Sequence, residues 1–110
     1  MIAPDDVLRD FGQAMGEIYR RAKVEEGHNA SRFLRMLGEH GPVETARRLI
    51  HGNQPSEGFN TLTLKRRWDL TVEMHVLDPR FETLFTDDER EHCRDRLLTY
   101  GCDESRLPPW

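Results

Sequence analysis

The sequence has no long apolar segment, and this excludes a membrane-spanning helix. No apolar run approaches the roughly twenty residues that an α-helix needs to cross a bilayer. The first residues, MIAPDDVLRDFG, also lack the basic start and the apolar block of a secretory signal. We therefore expect a cytoplasmic protein that has no membrane partner.

Cysteine is scarce, and nucleophilic motifs are missing. Cys93 and Cys102 are the only cysteines, and in a reducing compartment both are most simply free thiols. Neither lies in a glycine-flanked turn or at a helix start, where the pKa of a thiol would fall. The sequence also has no glycine-rich phosphate loop and no serine in a strand-to-helix elbow. We therefore assign no catalytic residue and expect no enzymatic activity.

Paired metal ligands are missing as well. Glu89 and His92 have the spacing of a di-iron ligand pair, but the chain has no second pair of this kind. We expect no metal and no cofactor, and we interpret Glu89 and His92 as part of a solvated helix face. His75 lies within an apolar segment, where Glu73 or Asp78 could assist it as a general base. A partly buried, hydrogen-bonded histidine is the favoured interpretation.

Composition and pattern favour one helical domain. Charged residues make up 33% of the 110 residues and apolar residues 36%, with a net charge of −4. This balance is typical of a soluble helical domain and argues against broad electrostatic binding to nucleic acid. Strand-like alternation is limited to TLTL at 61–64. We predict an all-α protein, a single compact irregular bundle of five or six helices over residues 1–103, with a loosely ordered tail at 104–110.

The densest apolar content lies in the segment 68–89. Its first half has apolar residues at helical spacing, and Asp69 is the predicted cap of a helix there. Pro79 predicts a break followed by a short helical turn, because proline disrupts an ongoing helix but suits the first position of a new one. Thr86 and Glu89 have the spacing of a capping box, which predicts the start of the last helix.

Helix-start and helix-stop residues divide the rest of the chain. The other predicted helices run from Pro4 to about Gly27, from Asn29 or Ser31 to between Gly38 and Gly41, from Pro42 to Gly52, and from Phe59 through Lys65–Arg67 into the central segment. The predicted core is made of large apolar residues: Phe11, Met15, Phe33, Leu34, Leu37, Leu49, Leu62, Trp68, Leu70, Met74, Leu77, Phe81, Leu84, Phe85 and Leu97.

Three stretches carry a resemblance to a known group of proteins. They are SRFLRMLGEHGPVETARRLI at 31–50, PSEGFNTL at 55–62 and DLTVEMHVLDPRFETLFTDDE at 69–89. Together they resemble a family of small bacterial helical proteins and appended modules of uncharacterised function. The resemblance implies an all-helical fold and a bacterial or phage origin, and it implies no catalytic residue. His75 departs from the pattern, which has a small or apolar residue at that position.

Two basic stretches suggest a nucleic-acid-binding alternative. Arg47 and Arg48 precede Lys65, Arg66 and Arg67 by one loop, an order similar to that of a helix-turn-helix. The intervening loop, NQPSEG, is longer than the three or four residues of that motif and contains proline. Pairing of these cations with surface carboxylates is the simpler interpretation.

With catalysis unsupported, a non-enzymatic protein-interaction module is the favoured function. Such a module would mark its binding face with exposed apolar residues. The candidates are Ile18, Tyr19, Leu107 and Trp110. The partner is either another protein or a second copy of this chain, since Gly12 and Gly16 would permit close approach of another helix to the first one.

Overall fold

Six α-helices follow one another over residues 4–109, the part of the chain that the computed structural model describes. They are α1 (Pro4–Glu26), α2 (Ser31–His40), α3 (Pro42–Ile50), α4 (Glu57–Leu64), α5 (Val72–Val76) and α6 (Asp87–Thr99), with 3-10 turns at Trp68–Leu70, Pro79–Leu84 and Glu104–Arg106. No strand occurs within these residues, so the predicted all-α bundle is confirmed. None of the described helices combines the length and the apolar content that crossing a bilayer requires.

The longest helix, α1, supplies one side of the core. Its buried residues Phe11, Met15, Ile18 and Ala22 recur at helical spacing and therefore form a single stripe. The helix ends as predicted, because Gly27 adopts a φ of +65° that a residue with a side chain rarely takes.

The two glycines within α1 have different surroundings. A Cβ atom at Gly12 would lie 3.5 Å from Cγ of Pro42, so this position faces the start of α3 in the same molecule. A Cβ atom at Gly16 would meet nothing within 4 Å. The helix that approaches α1 closely at Gly12 is therefore α3 of the same molecule.

The open position at Gly16 gives a stability prediction. We expect Gly16→Ala to raise the free energy of unfolding by about 0.5–1 kcal/mol, because alanine loses less backbone entropy in a helix interior. Urea denaturation measures the change. The matched control, Gly27→Ala, should lower stability, because the backbone at that position has a positive φ. A destabilised Gly16→Ala variant would contradict the prediction.

The central segment differs from the single helix that its apolar spacing predicts. It is divided at Thr71, whose backbone is extended and whose Oγ accepts a hydrogen bond from the N–H of Met74 at 3.2 Å. The same hydroxyl donates to the carbonyl of Trp68 at 2.7 Å. Thr71 therefore caps α5, and the prediction that Asp69 caps a helix here is wrong. A threonine hydroxyl that bonds to nearby backbone groups competes with the helical hydrogen bonds.

The predicted continuation of α4 through the basic stretch is also wrong. Arg66 has a φ of +57°, which ends the helix. The N–H of Arg66 donates to the carbonyl of Thr63 at 3.0 Å, and the N–H of Arg67 donates to the carbonyl of Leu62 at 2.9 Å. These two bonds form a Schellman motif, in which arginine occupies the position that glycine usually takes.

The caps of the later elements are confirmed. Asp78 accepts a hydrogen bond from the N–H of Arg80 at 2.9 Å and so starts the 3-10 turn at Pro79. The Oγ of Thr86 accepts from the N–H of Glu89 at 3.1 Å, and the Glu89 carboxylate accepts from the N–H of Thr86 at 2.9 Å. The predicted capping box therefore begins α6.

Most of the predicted core is buried or packs against buried residues. Leu34 is the exception, since 48% of it is exposed. The prediction for Leu34 is wrong because α2 lies at the surface of the bundle and contains no fully buried residue. Buried apolar residues that the predicted core omitted are Ile18, Ala22, Ala46, Ile50, Phe59, Val72, Val76, Cys93 and Cys102.

The residues after α6 form a short turn against the bundle. Asp103 accepts a hydrogen bond from the N–H of Ser105 at 3.0 Å, and Nη2 of Arg94 donates to Glu104 at 2.7 Å. Leu107 is partly buried and packs against the core.

Candidate functional site

A half-open cavity of about 540 Å³ lies between the second half of α1, the start of α2, the end of α3 and the start of α4. We call it the groove. Its volume falls within the range of about 300–1,000 Å³ that is typical of ligand pockets. Apolar side chains make up much of its lining, among them Ile18, Phe33, Met36, Leu49, Phe59 and Leu70.

Local backbone chemistry positions two walls of the groove. The Oγ of Ser56 accepts a hydrogen bond from the N–H of Phe59 at 3.1 Å, which caps α4 and places Phe59 one turn into the helix. On the other side, the hydroxyl of Tyr19 donates to Oδ1 of Asn29 at 3.2 Å and ties α1 to the segment before α2. The groove is therefore formed by packed helices and by connecting segments that hydrogen bonds hold in place.

A buried ion pair contributes to the floor. Glu73 lines the groove and is only 2% exposed. Nη1 of Arg96 donates to its carboxylate at 3.1 Å, and Nη2 of Arg96 donates to the carbonyl of Gly52 at 3.0 Å. Burial raises the pKa of Glu73, and the hydrogen bond from Arg96 only partly offsets this effect. Arg96 thus joins α6 to α5 and to the end of α3.

Three further charged side chains line the open part of the groove: Arg32 at the start of α2, Arg48 near the end of α3, and Glu57 at the start of α4. All three belong to exposed residues. Nε of Arg48 donates to Glu44 on its own helix at 3.3 Å.

Two of the hydroxyl groups in the lining serve structural hydrogen bonds. The hydroxyl of Ser56 is used as a cap, and the hydroxyl of Thr71 donates to a backbone carbonyl. Neither cysteine is among the lining residues. Burial raises the pKa of both the Cys93 and the Cys102 thiols, which keeps them protonated and unreactive.

The predicted interaction residues do not form one exposed surface. Ile18 is only 4% exposed, so the expectation that it forms an exposed apolar face is wrong, because it belongs to the buried stripe of α1. Tyr19 is partly buried, and both Ile18 and Tyr19 line the groove. Leu107 is not among the lining residues, and Trp110 lies outside the described residues.

Arg47, in the first basic stretch, contacts other residues of the same molecule. Nη2 of Arg47 donates to the carbonyl of Leu84 at 2.7 Å, and its Nε lies 3.4 Å from the Glu89 carboxylate. The guanidinium also lies over the ring of Phe85, 5.7 Å from the ring centroid. Arg47 therefore fastens α3 to the segment before α6.

The second basic stretch contacts the end of α1 instead. Arg67 donates to Glu25 at 2.7 Å, to Glu26 at 2.6 Å and to Asp69 at 3.2 Å. Lys65 donates to the carbonyl of Glu26 at 2.9 Å, whereas Arg66 is exposed. The described contacts thus do not bring the two basic stretches into one cluster.

Three of the five histidines, His51, His75 and His92, are held in separate hydrogen bonds. Nε2 of His51 donates to Glu89 at 2.7 Å, and Nε2 of His92 accepts from Arg96 at 3.1 Å. Among residues 4–109, no three His, Cys, Asp or Glu side chains are grouped as metal ligands would be. Nδ1 of His75 donates to the carbonyl of Thr71 at 2.9 Å, and burial lowers the pKa of this imidazole. His75 is not among the residues that line the groove.

The sequence interpretation missed the ion pair at the floor. A signal for it exists: Arg96 lies three residues after Cys93 and one before Leu97, which places a charge on the inward stripe of α6. Glu73 likewise lies within the densest apolar segment. A charged residue on a buried stripe indicates an internal partner.

Comparisons with known proteins do not extend this picture. No protein-family model, curated protein or solved structure matches the chain. The resemblance to small bacterial helical proteins therefore stays a prediction, and a function for the groove has to be inferred from its geometry and charges.

Proposed function

We propose that this protein is a protein-interaction module without enzymatic activity, and that its groove binds a short apolar segment of a partner protein. The observation that carries the proposal is the groove itself, a half-open cavity of about 540 Å³ with many apolar side chains in its lining. Apolar anchors that enter grooves between helices are a common mode of peptide recognition.

Buried core residues line the groove where an apolar anchor would sit. Phe59 and Leu70 are 2% and 1% exposed, and both belong to the central apolar core. A floor made of core residues is already ordered before binding, so association costs little conformational entropy there. This preorganisation supports binding by a preformed site.

Two competing functions have weaker support. An enzyme would need a reactive group in the groove, yet the buried carboxylate of Glu73 is held by Arg96. Binding of nucleic acid would need the two basic stretches to act together, yet they form no single cluster, and Arg47 and Arg67 bond to carboxylates of the same molecule. The net charge of −4 also opposes attraction to phosphates.

A random peptide library tests the proposal. Displayed peptides of about twelve residues, long enough for three helical turns, would be selected on the immobilised protein. We expect selected peptides to bind the wild-type protein and to bind Phe33→Ala about tenfold or more weakly, because Phe33 lines the groove. Leu34→Ala is the matched control, since Leu34 is adjacent on α2, exposed and outside the lining.

Three outcomes of this experiment would count against the proposal. One is a selection that enriches no peptide, and another is equal binding to Phe33→Ala and wild type. The third is chemical-shift changes on peptide addition that map away from the groove. Thermal melting of each variant by circular dichroism would confirm that lost binding does not reflect lost folding.

A further inference from the structure

The groove differs in charge from the rest of the molecule. Its charged lining residues are Arg32, Arg48, Glu57 and Glu73. The charge of Glu73 is compensated by Arg96, which lies behind it and is only 7% exposed. The open part of the groove therefore presents two cations and one carboxylate, although the whole chain has a net charge of −4.

Arg48 can accept a new partner at little cost, and Arg32 is exposed to solvent. The pair between Arg48 and Glu44 spans 3.3 Å, and its side chains are 54% and 50% exposed. Exposed pairs of this kind contribute little, so Arg48 can exchange Glu44 for a ligand carboxylate. A guanidinium also offers paired N–H donors in a planar fork, which match the two oxygens of a carboxylate.

The start of α2 adds charge of the same sign. This helix has no acidic residue in its first turn, and no side chain caps it. Its partial positive charge is therefore not balanced locally, unlike that of α4, where Glu57 lies in the first turn. Arg32 lies on this first turn of α2, so the helix end and the arginine side chain both attract an anion.

From this charge pattern, and resting on the proposed function, we infer that the partner segment is acidic. Its apolar side chain enters the groove, and a neighbouring Asp or Glu carboxylate pairs with Arg32 and Arg48. A basic segment with the same apolar residues would meet two like charges at the rim and bind more weakly.

Matched peptides test the charge of the partner. Two labelled peptides would share the apolar residues of a selected binder and carry either Glu or Lys at every charged position. Fluorescence anisotropy at low salt should show that the acidic peptide binds at least about tenfold more tightly than the basic peptide. The double variant Arg32→Gln/Arg48→Gln should remove this preference and reduce the salt dependence of binding. Arg35→Gln, an exposed site on α2 outside the lining, should leave both unchanged.

Charge reversal gives a second readout that loss of folding cannot imitate. We expect Arg32→Glu/Arg48→Glu to bind the basic peptide more tightly than the acidic one. Equal binding of both peptides by the wild-type protein would overturn the inference and leave the proposed function standing. Failure of every apolar peptide to bind would overturn the proposed function as well. A single-stranded oligonucleotide that displaces the acidic peptide at physiological salt would assign the groove to nucleic acid and also overturn the inference.

Discussion

Replacing Arg96 with methionine is expected to lower the free energy of unfolding by about 3–5 kcal/mol, because the substitution leaves the Glu73 carboxylate buried without its cation. The donor and acceptor atoms lie 3.1 Å apart, and the two side chains are 5% and 2% exposed. Because both side chains are almost fully buried, water is a poor replacement for the lost partner. Urea denaturation at neutral pH measures the loss.

A double substitution distinguishes the effect of leaving one charge unpaired from the effect of replacing the two side chains. Glu73→Met alone should also be strongly destabilising, because Arg96 would be left as a buried, unpaired charge. The variant Glu73→Met/Arg96→Met leaves neither charge and should be less destabilised than either single variant. A small loss should remain, because the carbonyl of Gly52 loses a donor at 3.0 Å. Losses that simply add in the double variant would contradict direct coupling.

The pH dependence of Arg96→Met provides an independent check. Burial raises the pKa of Glu73 above its ordinary value of 4.5, so the folded state holds a proton that the unfolded state has already lost. The contribution of Glu73 to stability then falls as the pH rises from 4.5 to its pKa in the folded state, and this contribution no longer changes above that value. In Arg96→Met the pKa of Glu73 in the folded state rises further, so the pH range over which stability is lost extends to higher pH. The defect relative to wild type should therefore be smaller at about pH 5 than at about pH 8.

Phe11→Ala should lower the free energy of unfolding by a similar amount, about 3–5 kcal/mol, because it opens a cavity in the core. Phe11 is 0% exposed. Its ring centroid lies 5.1 Å from that of Phe81 and 5.4 Å from that of Phe85, both in edge-to-face geometry. These contacts attach α1 to the turn at Pro79–Leu84, so their loss should also loosen that turn. Urea denaturation and hydrogen exchange of the turn amides measure the two effects.

Leu8→Ala is the matched control for this truncation. Leu8 lies one turn earlier on α1 and is 43% exposed, so its replacement should cost less than about 1 kcal/mol. Phe11→Leu retains much of the apolar volume and should have an intermediate effect. If Phe11→Ala were no more harmful than Leu8→Ala, the aromatic contacts would not hold α1 in place.

Helix boundaries could be predicted where a local hydrogen bond or a special backbone angle sets them. The capping box at Thr86 and the stop at Gly27 depend on residues that are neighbours in sequence. The break at Thr71 has an equally local cause, but the apolar spacing around it continues on both sides and predicts one helix. Periodicity reports which residues face the core, and it does not require that they share one helix.

The groove could not be predicted in the same way. Its lining comes from segments as far apart in the chain as Ile18 and Glu73, and no local pattern specifies how those segments cross. Arg96 and Glu73 are separated by 23 residues. Their pairing depends on the packing of α6 against α5. The charges could be recognised on the inward stripes, but their partners and the open space beside them required the three-dimensional arrangement.

The Glu73–Arg96 pair has a consequence for how this sequence can change over generations. Domains of this size are stable by only about 5–15 kcal/mol, so losing one partner alone would consume much of that margin. Exchange of both partners for apolar residues avoids most of the loss. Descendants of this chain should therefore keep positions 73 and 96 charged together or apolar together. Mixed pairs should be confined to lineages in which a stabilising substitution came first.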